Sequence, residues 1–196
     1  MRRVTLAVLL LFILQFETPR LFSEETVILD DRSKSYNLIN KIYLLEDSDG
    51  SLDIESVIAR TAEFVLIPDA EPNLGFTRSV YWAMIVIQNE SALDKWLLEL
   101  AYPPFDYIDP YIVTESRSGR TIVKQEPTGD SITYTSKANP DRNHIIIIPV
   151  KPGQKAEVFL RLKTESSFVF PLKIWVEDEF YKSSSTSMIL FGLLFG

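Results

Sequence analysis

Carboxylates have the widest chemical reach in this chain. Glu99, Asp106, Asp109 and Asp130 are available as an acid and base pair for glycosidic-bond chemistry. The sequence gives no separation between them, and 27 acidic residues make a suggestive pair unavoidable by number alone. His144 is the single histidine, which excludes a multi-histidine metal site and leaves an imidazole beside Arg142 as either a polar edge-strand residue or a ligand contact. Cysteine is absent, so thiolate metal sites and disulfides are excluded together. The segment Leu45 to Ser56 imitates a calcium loop around Gly50, with Asp47, Asp49, Ser51 and Asp53 at ligand positions, but its first and twelfth positions are Leu45 and Ser56. An acidic turn leading into a short helix is the better reading. The 7 glycines are unclustered, so no phosphate-cradling loop is present. The chemistry left is binding, with no catalytic residue, metal or cofactor implied.

Rings are the more informative group. Tyr102, Phe105, Tyr107 and Tyr111 crowd around Pro103-Pro104, and Trp82, Trp96 and Trp175 lie in other apolar segments. Flat rings stack on sugar faces, although in a chain of this size most of them fill a core. Tyr102, Tyr107, Asp130, Arg142 and His144 are the candidate ligand contacts, chosen for polar or aromatic character near expected strand ends. Asn89-Glu90-Ser91 has the form of a glycosylation acceptor.

The elements that must position these residues are strands. Period-two alternation recurs in short segments separated by Pro, Gly, Asn and Asp, the pattern of an antiparallel sandwich. From Phe168 to Val176 the even positions are all apolar, and Val158, Leu160 and Leu162 alternate with Arg161 and Lys163. Val80 to Ile87 is apolar on both faces, as expected of a central strand covered on each side. Further strands are expected over 25–29, 37–45, 62–67, 96–102, 106–114, 131–134 and 143–150, with one short helix over 54–60. Ten such segments form two packed sheets around a core supplied by the 46% of residues that are hydrophobic. A net charge of −7 speaks against nucleic acid as a partner.

The ends differ from the middle. Arg2 and Arg3 precede an apolar run from Val4 to Phe16 that spans roughly 20 Å as a helix, short of a roughly 30 Å hydrocarbon core. That is a secretory signal over 1–23, followed by an exported domain over 24–182. Ser183 to Ser187 reads as a polar joint, and Met188 to Gly196 is apolar throughout, as at the start of a transmembrane helix.

The run Asn73 to Trp82, the strand ending in Gln88-Asn89, and the block Trp96 to Tyr111 resemble the type 2 extracellular domain of bacterial seven-transmembrane receptors with diverse intracellular signalling modules (7TMR-DISM). Gly129-Asp130, Arg142 and His144 before Ile145 to Pro149, Phe159 to Arg161, and Pro171-Leu172 with Trp175 agree with it. Two positions depart: Met84 stands where a basic residue commonly follows the strand Trp, and Lys137 stands near where an Arg is usual. The resemblance implies a jelly-roll sandwich like that of carbohydrate-binding modules, at the periplasmic face of the bacterial inner membrane. It also implies a membrane region after residue 187 and a cytoplasmic output. The expected function is sensing a small molecule, carbohydrate first. The competing readings are a docking or homodimerisation module, and a secreted carbohydrate-binding module.

Overall fold

A computed structural model describes residues 25–68, 72–132 and 143–184. Eleven strands among them form two sheets. In chain order these are β1 (Thr26–Leu29), β2 (Ser35–Asn37), β3 (Ile42–Asp47), β4 (Val65–Ile67), β5 (Val80–Asn89) and β6 (Lys95–Leu100), then β7 (Tyr107–Ser116), β8 (Gly119–Lys124), β9 (His144–Pro149), β10 (Lys155–Lys163) and β11 (Leu172–Trp175). The larger sheet runs β4-β3-β5-β10-β7-β8 with β1 also on β5, and the smaller runs β2-β11-β6-β9. Helix α1 (Ile54–Ala59) sits between β3 and β4, and residues 177–184 form a second helix, α2.

Alternation builds the interior. Ala83, Ile85 and Ile87 of β5, with Val158, Leu160 and Leu162 of β10, face Trp96, Leu98, Leu100, Ile146 and Ile148 of the smaller sheet. The opposite face of β5, through Val80, Trp82, Met84 and Val86, is covered by Ile54, Val57 and Ile58 of α1 and by Phe64. β5 is therefore buried on both sides, as its doubly apolar pattern requires. Helix α1 starts where Asp53 accepts the Ser56 N–H at 2.8 Å, a side-chain cap on an otherwise orphaned donor.

Several expectations need correction. The pairing is antiparallel except that β1 runs parallel to β5, Thr26 beside Val86. The segment 37–45 is two strands in different sheets, because the chain turns at Leu38 to Lys41 with Asn40 at φ 56°. Leu38, 1% exposed, fills the core from within that turn, so its apolar character imitated a strand position. β8 was not expected: it is an edge strand, polar and largely exposed, and carries no alternation. Of 131–134, Ser131 and Ile132 lie in a turn and the rest lies outside the described residues. Phe168 and Phe170 are buried without being strand residues, joined to the larger fold through the Asn73–Val169 bridge. Ser183 and Ser184 belong to α2 rather than to a joint, while the signal segment and Met188 to Gly196 lie outside the described residues. Among the described residues no helix is long and apolar enough to cross a membrane.

A polar cleft at one end of the sandwich

Asp106, in the connection from β6 to β7, organises one end of the molecule. Its Oδ2 accepts the Thr164 hydroxyl and the Glu165 N–H, both at 2.7 Å, and its Oδ1 accepts the Ser131 hydroxyl at 3.0 Å. Burial pushes this carboxyl's pKa up, but the donors from Glu165, Thr164, Ser131 and Ser166 outweigh it and hold the pKa below the usual value. The Asp106 carbonyl also accepts the Ser131 N–H at 3.2 Å, and Phe105 O accepts the Asp130 N–H at 2.7 Å. This close approach requires Gly129: at φ 146° a β-carbon there would stand 1.9 Å from the Asp106 carbonyl oxygen. Phe105, fully buried against Phe168 at 5.2 Å, anchors the connection from below.

Beside this hub opens a cleft of about 720 Å³, lined by Phe76, Thr77, Arg78, Lys163, Thr164 and Glu165. Two of its walls are fixed by hydrogen bonds. Thr164 and Glu165 are held by Asp106, while the 73–79 loop is tied down through Leu74 N–H to Phe168 O at 3.0 Å and Phe168 N–H to Gly75 O at 2.7 Å. Asn73 accepts the Gly75 N–H at 2.9 Å, and Gly75 adopts φ 67°, which turns the chain so that Phe76 projects outward. Phe76 is 83% exposed on a loop tied down at 73–75 before it and at Ser79 after it, whose N–H donates to Thr77 Oγ1 and whose hydroxyl donates to Glu46. The cleft walls are thus ordered by the protein's own hydrogen bonds.

The expected contact residues divide between surface and interior. Tyr107 opens β7 directly opposite Lys163 and is 41% exposed, and Asp130 is exposed above the Phe105 carbonyl. Tyr102 is half-buried against the core, with its carbonyl accepting from Phe105. His144 is 2% exposed; its Nε2 lies 3.1 Å from the Pro103 carbonyl and its Nδ1 3.4 Å from the Thr128 hydroxyl. A carbonyl only accepts, so Nε2 is the donor, and the imidazole staples the 103 loop to the 128 turn. These four residues thus share one end of the sandwich, two outside and two within. Arg142 and Lys137 lie outside the described residues.

The remaining candidates have structural tasks. Glu99, on the outer face of the smaller sheet, accepts Trp175 Nε1 at 2.7 Å and Asn143 Nδ2 at 2.5 Å. Asp109 lies 3.6 Å from both Lys124 and Arg161 on the larger sheet. Glu99, Asp106 and Asp109 therefore belong to three separate networks. In the acidic turn, Asp47 accepts from Ser51, Leu52 and Trp82 Nε1, and Asp53 caps α1. Among the described residues no group of three or more acidic or imidazole side chains is placed to hold a metal. Trp82 and Trp96 are fully buried, and Met84 is sealed beneath α1, where a charged side chain would be desolvated. Asn89 is fully buried and spends its amide on Leu93, Val150 and Ser91, so it is a loop clamp. Sequence reading missed Phe76, Arg78 and Lys163 as cleft residues. The available signal was Phe76 itself, a large apolar side chain in a loop between Gly75 and Thr77 with no alternating partner.

A two-sheet sandwich with an ordered cleft at its loop end defines the class, a β-sandwich module. Its family follows from comparison: residues 40–176 match the family described as "7TMR-DISM extracellular 2", and the chain belongs to it. It is thus an outward-facing domain of the kind carried by those receptors. Among solved structures it is similar to one titled "Structural basis for the promiscuous specificity of the carbohydrate-binding modules from the beta-sandwich super family", at 12% identity and TM-score 0.34 over 76% of this chain. The match spans 63% of that structure's chain. No curated protein matches.

Proposed function

We propose that this domain, residues 24–182 of an exported chain, is the periplasmic sensor of an inner-membrane receptor. In this reading it binds a small carbohydrate-like ligand in the Phe76–Glu165 cleft without acting on it. Its fold is a jelly roll, the 1–23 segment is its export signal, and the apolar run after the serines begins the membrane region. The observation that carries the ligand reading is the pairing of an outward-held Phe76 with fixed polar walls, since a cleft of about 720 Å³ lies within the size range of small-molecule sites. Rings supply an apolar platform and the polar groups fix orientation.

The route toward the membrane begins at α2. Phe180, 3% exposed, inserts among Leu97, Ile145 and Trp175 on the smaller sheet. Lys95–Glu177 at 2.6 Å and Lys34–Glu179 at 3.0 Å add ties on the same helix. Ligand would shift a two-state equilibrium of this helix only through different affinities for the two arrangements. The test is a thermal-shift screen of the chain against mono- and oligosaccharides and small metabolites. A saturable rise in melting temperature that disappears with Phe76→Ala supports the reading. A folded protein that responds to nothing on the panel shifts the assignment to a docking or homodimerisation surface.

A further inference from the structure

Most cations of the described structure are matched. Lys34, Lys41, Arg60, Lys95, Arg120, Lys124, Arg161 and Lys182 each lie within 3.6 Å of a carboxylate oxygen. Arg78, Arg117, Lys151, Lys163 and Lys173 have no ion-pair partner among the described residues, and of these Arg78 and Lys163 line the same cleft. Carboxylates were available, since the chain has 27 acidic residues against 20 basic ones. The Asp106 carboxylate, which holds the cleft residues Thr164 and Glu165, spends its oxygens on Ser131, Thr164 and Glu165. Glu165 lines the cleft as well, yet makes no ion pair with either cation. With Glu165 in the wall and Asp106 behind it the two cations create no net field, so what they offer an anion is direct charge-assisted contact by donors that no carboxylate already holds.

We infer that the ligand of this cleft is acidic, and that its class is a sugar acid. The carboxylate would sit between Arg78 and Lys163, where charge-assisted hydrogen bonds are strongest. One face of the sugar ring would lie on Phe76, with Tyr107, opposite Lys163, as a second ring. Glu165 and Thr77 supply oxygen acceptors for the sugar hydroxyls, a role that explains an acid beside the two cations. The inference rests on the ligand-binding reading above and narrows it.

The experiment is calorimetric titration of the chain with glucuronate and galacturonate against glucose and galactose, with succinate as a non-sugar acid. The expected result is binding of one or both sugar acids at least about tenfold tighter than their neutral counterparts, weakening as salt rises. Arg78→Gln or Lys163→Gln should each remove most of that preference. Arg117→Gln, which deletes an equal charge in the β7–β8 turn, should leave it intact. Neutral sugars binding as tightly as the acids would overturn the inference while leaving carbohydrate sensing in place. Succinate binding with no response to any sugar would overturn the sugar class. Failure of every probe would overturn both readings.

Discussion

Replacing Asp106 tests how the cleft is held, and its cost can be worked from the hydrogen bonds. Asp106→Ala removes the acceptor for Thr164 Oγ1, Glu165 N and Ser131 Oγ. At about 1 kcal/mol net for each bond, the loss is about 3 kcal/mol. Asp106→Asn is milder for a geometric reason. The Glu165 N–H can only donate, so the amide oxygen must take the Oδ2 position, and the amide nitrogen then meets the Ser131 hydroxyl, which rotates to accept. Shape and most bonds survive, at about 1 kcal/mol. The charge-dependent part does not survive. Asp106 has its pKa lowered in the folded state, so its contribution is complete above the unfolded value, about 3.9, and is lost as pH falls through the folded one. Urea unfolding at pH 7 and at several values below pH 5 measures both effects. Wild type should lose stability toward acid more steeply than Asp106→Asn. A loss under about 1 kcal/mol for Asp106→Ala at pH 7, or identical acid slopes for wild type and Asp106→Asn, would refute the hub.

Gly129→Ala must displace backbone, because its β-carbon would meet the Asp106 carbonyl at 1.9 Å, whereas Gly119→Ala, at φ 118°, meets nothing within 4 Å. Thermal denaturation should show about 3 kcal/mol or more lost at Gly129 and about 1 kcal/mol at Gly119. Asn89→Ala leaves the Leu93 and Val150 carbonyls without the amide donor, and should lower stability by about 3 kcal/mol in urea. Phe180→Ala should release α2 without melting the sandwich. Hydrogen exchange would then show protection lost over 177–184 and kept in β5 and β10.

β10 was legible because its alternation records one face turned to the core, and β5 because a run apolar on both faces records burial on both sides. β8 escaped because an exposed edge strand has no burial to record. The break between β2 and β3 escaped because Leu38 is buried from a turn and so continued the apolar pattern across it. For the site, polar and aromatic character near strand ends selected Tyr107 and Asp130, which lie at the end of the sandwich that carries the cleft. It did not distinguish them from His144, whose ring is equally polar but buried between two loops. Arg78 and Lys163 are separated by 85 positions in the chain, and only the antiparallel path that sets the start of β5 beside the end of β10 brings them to one cleft. Nor does sequence reveal which cations lack partners, since that depends on where carboxylates fall in space.

The most direct measurement of the central claim is amide NMR of isotopically labelled chain titrated with the best ligand from the saccharide screen. The account predicts saturable shifts confined to 73–79, 106–107, 129–131 and 163–166, with smaller changes in α2. Shifts centred on the outer face of the larger sheet around Tyr111 and Lys124, with the cleft amides unmoved, would contradict it.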